Sequence, residues 1–270
     1  TRQIPLGIYK KVGDLLGYKE KVLNQKIRGI RIWKSRSNLY NFPLILDKDW
    51  IYVSEMIRVE GHLSDKRLVI ENSNTELLHR FKISLKEIGV KKNVISEGLN
   101  IKVQIPLEFE IEKVSLKNIT YKKPIKRFHY RILNLKKGKK KEIVFYDNDF
   151  KYNQESVYLI SYKNKIINFK INIPEKGKIT HKSSLKDNTY QKVNVSMRLE
   201  LNNKTLVEIL NKYFEIPLGV KSYNIYIPEF VKNSSKNLLK KVVESTIDSE
   251  STITNKEVVI SSRSERYLKD

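Results

Sequence analysis

The sequence predicts an α+β fold in which two related helix–strand units are combined with an inserted small β module. Three observations predict it. Amphipathic helical patterns alternate with short strand patterns over 48–106 and again from 189 to the last residue. Residues 107–188 contain strand-like runs separated by turn signals and no long helical pattern. A helix–strand–helix pattern found in the first unit recurs near the last residues.

The charge of the chain favours nucleic acid as its partner. The 270 residues include 53 Lys and Arg against 30 Asp and Glu, so the net charge is +23. Such an excess on a folded chain indicates a polyanionic partner. A proteome that is generally rich in lysine would normally show more glutamate as well. The acidic residues of this chain are not correspondingly numerous, so such a bias does not explain the charge. A hydrophobic content of 40% excludes wholesale disorder.

Several classes of protein are excluded by features that the sequence lacks. Without cysteine there is no disulfide scaffold, thiolate zinc site or cysteine nucleophile. No phosphate-binding loop, Gly-x-Ser-x-Gly turn or dinucleotide-binding motif is present. No apolar run approaches the ~18 residues of a membrane span, and the first residues lack a signal-peptide pattern. We expect a cytoplasmic, nucleoid-associated protein with no membrane partner.

The N-terminal segment, 1–47, combines a short helical pattern with an alternating, basic strand pattern at Lys26–Trp33. The first informative helix comes next, at 48–60, where Asp47 and Asp49 are both candidates for the N-cap. At 100° per residue its apolar side chains form a continuous arc of about 180°. Ser54 and Arg58 face the other way.

A carboxylate falls inside the apolar arc of each of two helices. Glu60 ends the first helix, and Glu250 ends a later helix predicted over Ser234–Ser251. Between these helices, alternating patterns predict strands at Arg67–Ser73, Asn100–Leu107 and Val193–Leu201. Periodic patterns predict helices at 74–89 and 202–214. An extended segment at Tyr223–Val231 precedes the second carboxylate-bearing helix.

The insertion carries a basic stretch, Leu116–Lys141, with eleven Lys or Arg residues and no acid. Tyr121, Phe128 and Tyr130 are interleaved with these cations. A nucleic-acid-binding surface on a small β module explains this pattern, and so does a solvated hairpin tip at Lys136–Lys141.

Two segments of the chain repeat one another. Trp50–Phe81 and Leu238–Asp270 each contain a helix ending in Glu, a short loop with a Lys, a strand pattern and a polar helix start. Within them, VSEMIRVEG (53–61) and VESTIDSES (243–251) resemble the nine-letter motif of the LAGLIDADG homing endonuclease and maturase family. The segment from Gly61 resembles the one directly after the first motif in archaeal members, and YNIYIPEFVKNSSKNLL resembles the one that leads into a second motif.

The resemblance covers about 50–106 and 190–270 and implies a fold. Two αββαββα units would pack their motif helices side by side, and two curved antiparallel sheets would form a saddle over the DNA major groove. The chain would be a pseudo-dimeric monomer. Its first unit would comprise 48–106 and 189–222, with the insertion at 107–188 between these two segments. The second unit, at 223–270, would be incomplete because it lacks its last two strands.

The resemblance also implies a catalytic site. The last acid of each motif binds a divalent metal in the family, which makes Glu60 and Glu250 the candidate catalytic and metal-binding residues, with Mg²⁺ as the cofactor if the protein is active. Both positions are usually aspartate. The small third residue of the motif is replaced by Glu55, which is costly at a close helix contact unless it pairs with Arg58 or a lysine. The second motif has Ser245 at the third position and Ser251 instead of the final Gly.

Three functions fit these features. The first is a site-specific DNA endonuclease, the second a non-cleaving DNA-binding regulator or architectural protein derived from one, and the third an RNA-binding maturase or ribonucleoprotein component. Double-stranded DNA is the expected partner and RNA the alternative. The candidate nucleic-acid-binding residues are Lys66, Arg67, Lys102, Lys122, Lys123, Lys126, Arg127, Arg131, Lys192 and Arg198.

The basic stretch of the insertion can be tested by removing its charges together. Alanine at Lys122, Lys123, Lys126, Arg127 and Arg131 should weaken binding to duplex DNA. Each lost phosphate contact should flatten the slope of log K against log salt concentration by about 0.9. Binding measured across a salt series checks this. An unchanged slope would show that the stretch does not touch phosphate.

Overall fold

The computed structural model has the predicted α+β composition, with helices and antiparallel strand pairs. It describes residues 12–17, 40, 44–105, 107, 111, 113–117, 122–125, 128–135, 138–162, 165–183, 193–221, 223–253 and 257–270. The predicted strand at Lys26–Trp33 lies outside these residues. None of the helices in the described ranges has the length and apolar character needed to cross a membrane.

The elements that precede the insertion occur in the predicted order. They are α1 (Lys48–Val59), β1 (Gly61–Leu63), β2 (Arg67–Asn72), α2 (Thr75–Glu87), a short 3₁₀ turn (Lys92–Val94) and β3 (Ile95–Ile105). β1 and β2 form an antiparallel hairpin directly after α1.

The insertion is composed of strands in its described residues. These are β4 (Lys113–Lys117), β5 (Lys122–Pro124), β6 (Phe128–Leu135), β7 (Gly138–Asp147), β8 (Glu155–Tyr162), β9 (Lys165–Asn172) and β10 (Thr180–Ser183). The predicted tip at Lys136–Lys141 belongs partly to β7, because 139–141 pair with β6, while 136 and 137 lie outside the described residues.

The elements after the insertion end in a second helix–hairpin–helix. They are β11 (Val193–Asn202), α3 (Lys204–Lys212), α4 (Glu229–Lys232), α5 (Lys236–Glu250), β12 (Ser251–Ile253), β13 (Val258–Ile260) and α6 (Glu265–Lys269). The predicted extended segment at Tyr223–Val231 is wrong at its end, where α4 forms. Pro228 is the N-cap residue of α4 and has an extended backbone conformation.

The described strands form three sheets. Six strands are ordered β1-β2-β11-β3-β7-β6, five are ordered β10-β9-β8-β4-β5, and β12 and β13 form a two-stranded hairpin. The strands of the insertion therefore belong to two different sheets. β7 pairs with β3 over Leu99–Ile105, so β6 and β7 extend the sheet that holds β3, and the other insertion strands form the second sheet.

The predicted internal repeat is present in the order of elements. α1 leads into the β1–β2 hairpin and then α2, and α5 leads into the β12–β13 hairpin and then α6. The helices of the two repeats, α1 and α5, pack against each other, as the sequence predicted. Ile51, Val231 and Val242 form an apolar cluster in this part of the molecule.

Two compact units divide the described residues. Unit 1 takes those within 1–70, 80–95 and 200–270, and unit 2 takes those within 71–79 and 96–199. In unit 2 the core contains three aromatic rings: Tyr158 stacks on Phe169 with centroids 5.5 Å apart, and Phe145 contacts both.

The junction between α1 and its hairpin requires a glycine. A Cβ at Gly61 would lie 2.8 Å from the Cα of Ile57, which is backbone and cannot move aside. We expect Gly61→Ala to lower the free energy of unfolding by about 1–3 kcal/mol, the usual cost of overpacking. Urea unfolding checks this. Lys66→Ala, in the exposed turn of the same hairpin, is the control and should change stability by about 0.5 kcal/mol or less. Equal stability of the two variants would contradict the expectation.

Candidate functional site

The helix that carries the first motif is fixed at both ends. The Asp47 carboxylate accepts hydrogen bonds from the backbone N–H groups of Asp49 and Trp50, each 2.9 Å long, so Asp47 is the N-cap. At the other end Glu60 is the C-cap, and its backbone N–H donates to the Met56 carbonyl. Glu60 is half-buried and is followed at once by β1. The first predicted metal residue therefore lies where helix meets hairpin.

The second predicted metal residue has the same position in the second repeat. Glu250 is the last residue of α5, and Ser251 begins β12. The structure thus places Glu60 and Glu250 at the C-terminal ends of two helices that pack against each other. The side chain of Glu250 is not described. Among the described residues, no group of three or more His, Asp or Glu side chains is arranged to hold a metal ion.

The contact region of α1 contains a fully buried ion pair. The Arg58 Nε donates to the Glu55 carboxylate at 3.1 Å, and neither side chain is exposed to solvent. Arg58 also donates through Nη2 to the Phe214 carbonyl at 2.9 Å. The sequence predicted that Glu55 needs a partner in a close helix contact, and the partner is one of those predicted. Pairing offsets the desolvation of the carboxylate.

The predicted orientation of two residues on α1 is wrong. Ser54 and Arg58 lie opposite the apolar arc and were expected to face away from it, yet both are fully buried. The reason is that α1 is buried over nearly its whole circumference, so a single apolar face does not describe its environment. Ser54 satisfies its hydroxyl by donating to the Ile51 carbonyl at 3.0 Å.

The second repeat contributes hydroxyl groups to this ion pair. The Tyr267 hydroxyl, on α6, lies 3.3 Å from a Glu55 carboxylate oxygen and 2.7 Å from the Thr246 hydroxyl of α5. Burial, together with the negative charge of Glu55, raises the pKa of Tyr267. The phenol therefore stays protonated at neutral pH and donates to Glu55.

A lysine that the sequence did not single out closes the end of α1. Lys221 is almost completely buried and donates to the backbone carbonyls of Ile57 and Arg58. Carbonyls of the last turn of a helix have few partners within the helix, and a cation at a helix C-terminus is favourable. Lys221 is far away in sequence and lies in a loop without periodicity, so no local pattern indicates it.

A set of the predicted nucleic-acid-binding residues gathers on one face of the sheet in unit 2. The Glu71 carboxylate accepts hydrogen bonds from Asn100 Nδ2 at 2.7 Å and Arg198 Nη1 at 3.1 Å. Lys102 Nζ lies 3.7 Å from the same carboxylate. Because residues two apart on a strand share a face, Asn100 and Lys102 point to the same side of β3. We call Glu71, Asn100, Lys102 and Arg198 the Glu71 cluster.

The neighbouring strands extend this polar face. Tyr146 is opposite Asn100 in the β3–β7 register, and the Arg198 guanidinium lies 5.2 Å from the centre of its ring. Glu142 lies on the same face of β7, four residues before Tyr146, and its carboxylate contacts Nε and Nη2 of Arg131 on β6 at 2.6 Å. The face therefore combines cations, carboxylates, an amide and an aromatic ring.

Two other predicted residues belong to unit 1. Arg67 pairs with Glu200 at 3.4 Å, and Lys66 lines an open pocket of about 280 Å³ with Asp65 and Lys204. Lys122 and Lys123 lie on β5 without described side chains, and Lys126, Arg127 and Lys192 lie outside the described residues.

Comparisons of the chain with protein-family models, curated proteins and solved structures found no match. The arguments about its function therefore rest on its own residues and their arrangement.

The buried ion pair predicts a large difference between single and double substitutions. Arg58→Met leaves the Glu55 carboxylate buried without its cation, which typically costs about 3–5 kcal/mol of stability. Replacing both residues with Met should cost less than the two single changes together. Urea unfolding measures each variant. Lys170→Ala, which breaks an exposed pair with Glu155, is the control and should cost about 1 kcal/mol or less. A loss for Arg58→Met as small as the control's would contradict this assignment.

Proposed function

We propose that this chain is a duplex-DNA-binding LAGLIDADG protein that acts as a site-specific, homing-type endonuclease. The observation that supports it most is the repeated helix–hairpin–helix whose leading helices, α1 and α5, pack against each other. Two motif helices packed side by side are what the resemblance implies, and both predicted acids end these helices.

The order of elements in the first repeat also supports the proposal. If the strands of the insertion, β4 to β10, are left out, the remaining elements run α1, β1, β2, α2, β3, β11 and α3. This is the αββαββα order expected for one unit of the family. The insertion lies between the last two strands of that order.

The surface chemistry supports duplex DNA as the partner. The net charge of +23 attracts a polyanion over long distances. The sheet face in unit 2 offers Arg, Lys, Glu and Tyr side chains. Side chains of the first three kinds form hydrogen bonds with base edges in the major groove, which is wide enough to admit protein secondary structure.

The chemistry proposed for cleavage depends on Glu60 and Glu250. An anion at a helix C-terminus is disfavoured by roughly 0.3–1 kcal/mol, a penalty that Lys221 reduces at the end of α1, and two carboxylates near each other repel. A divalent cation between them would remove both penalties. Mg²⁺ in that position would supply stabilisation of the attacking and leaving oxygens in phosphodiester hydrolysis.

One observation favours the non-cleaving alternative. Glu55 occupies the motif position that is normally small, and its ion pair with Arg58 is fully buried. The close helix contact has therefore been rebuilt, and both metal-binding aspartates of the family are glutamates here. A descendant that kept DNA binding and lost cleavage would tolerate these changes.

The proposal is tested with duplexes selected from a random-sequence library by the full chain. With Mg²⁺ the wild type should cut the selected duplexes. Glu60→Gln and Glu250→Gln should abolish cutting and leave the Kd within about threefold, because they remove metal ligands and not DNA contacts. Glu229→Gln, at an exposed ion pair with Lys232, is the control and should cut normally.

The other outcomes separate the three functions. Binding without cutting in Mg²⁺ or Mn²⁺ would contradict the endonuclease and support the non-cleaving protein. Structured RNA that displaces selected duplex DNA at lower concentrations than duplex competitor would contradict DNA as the partner. Cutting by both glutamine variants would show that the metal site lies elsewhere.

A further inference from the structure

Three of the cations on the sheet face of unit 2 contact carboxylates. Lys102 and Arg198 both contact Glu71, and Arg131 contacts Glu142. These are the candidate nucleic-acid-binding residues whose side chains the structure describes in this unit. Their pairing distinguishes them from a surface built to hold phosphates, where a neighbouring carboxylate would repel the ligand and weaken the attraction of each cation.

The Glu71 carboxylate is itself fixed by a hydrogen bond. Asn100 donates to it at 2.7 Å and is only 2% exposed, so this amide acts within the protein and fixes the carboxylate. Two hydrogen-bond donors, from β3 and β11, and the ammonium group of Lys102 converge on this one carboxylate. Their geometry requires acceptor oxygens only, which a carboxylate provides and an amide does not.

Arg198 is oriented by two contacts of different kinds. Its Nη1 donates to Glu71 at 3.1 Å, and its guanidinium lies over the Tyr146 ring at 5.2 Å. A cation over an aromatic ring is attracted by the ring's negative face. The Arg198 side chain is 20% exposed, so part of it remains accessible to solvent.

An oriented guanidinium suits base recognition. Arginine that reads a sequence donates two parallel hydrogen bonds to O6 and N7 of guanine, and this arrangement demands a fixed plane. Contact with phosphate carries no sequence information directly. Glu71 and Tyr146 reduce the attraction of Arg198 for phosphate, but they hold its guanidinium in a fixed plane.

We propose that Glu71 is a positioning residue that makes Arg198 a guanine-reading side chain in duplex DNA. Without the carboxylate, Arg198 and Lys102 become mobile cations that contact phosphates of any sequence. Glu71 thus lowers affinity for DNA in general and raises the preference for particular sites. This inference rests on the proposed function, because it requires that the sheet face binds DNA.

The test is selection of duplexes from a random-sequence library by the full-length wild type, Glu71→Gln and Arg198→Ala. The wild type should prefer guanine at one position by about 10- to 100-fold, the range of a good bidentate contact. Both variants should lose that preference. Glu71→Gln should also bind unselected duplexes more tightly. Its salt slope should be steeper by roughly one to two, since up to two cations are released to phosphates.

Glu155→Gln is the matched control. It removes the same charge from the same unit and also breaks an ion pair, with Lys170 on β9. If Glu71 acts only through charge, both glutamine variants bind more tightly by the same factor and keep the guanine preference, which overturns the inference. Circular dichroism of each variant shows that it is folded, which the partly exposed position of Glu71 favours.

Failure of this inference differs from failure of the proposed function. A wild type that binds duplexes but shows no guanine preference, or a Glu71→Gln variant that keeps it, overturns the role of Glu71 alone. A wild type that binds no duplex at any sequence overturns the proposed function, and this inference with it.

Discussion

The contact between α1 and α5 is the interaction on which the rest of unit 1 depends. Its apolar part is supplied by residues such as Ile51 and Val242. The buried pair of Glu55 and Arg58 lies on α1 and is connected to α5 through the hydroxyls of Tyr267 and Thr246. Apolar burial is non-directional, whereas an ion pair forms only where its donor and acceptor are correctly placed. The pair therefore adds little net stability over an apolar contact but penalises other ways of packing the two helices.

The same contact connects the two repeats chemically. The Tyr267 hydroxyl, in the second repeat, donates to Glu55 in the first and is also hydrogen-bonded to the Thr246 hydroxyl of α5. Lys221 covers the carbonyls of the last turn of α1, immediately before Glu60. The end of this helix thus carries a buried positive charge that opposes the helix dipole. A carboxylate at that end is easier to accommodate than the helix alone would allow.

Local patterns in the sequence predicted the features that depend on near neighbours. The Asp47 cap and the carboxylates at the ends of α1 and α5 depend on residue type and spacing within one helix. The burial of Arg58 could not be predicted in this way, because helical periodicity assumes one buried face and α1 is buried on nearly all sides. The pairing of β7 with β3 is likewise non-local, and the alternation within each strand does not specify its partner.

The role of the acidic residues on the sheet face was not predicted from the sequence. Lys102 and Arg198 are predicted from their charge, whereas nothing in the strand pattern marks Glu71 as more than an ordinary polar residue. The excess of 23 positive charges provides long-range attraction that any polyanion shares. Paired cations contribute less to that attraction. Under the proposed function, the overall positive charge brings DNA to the protein, and the carboxylate-held side chains discriminate between sequences once it has arrived.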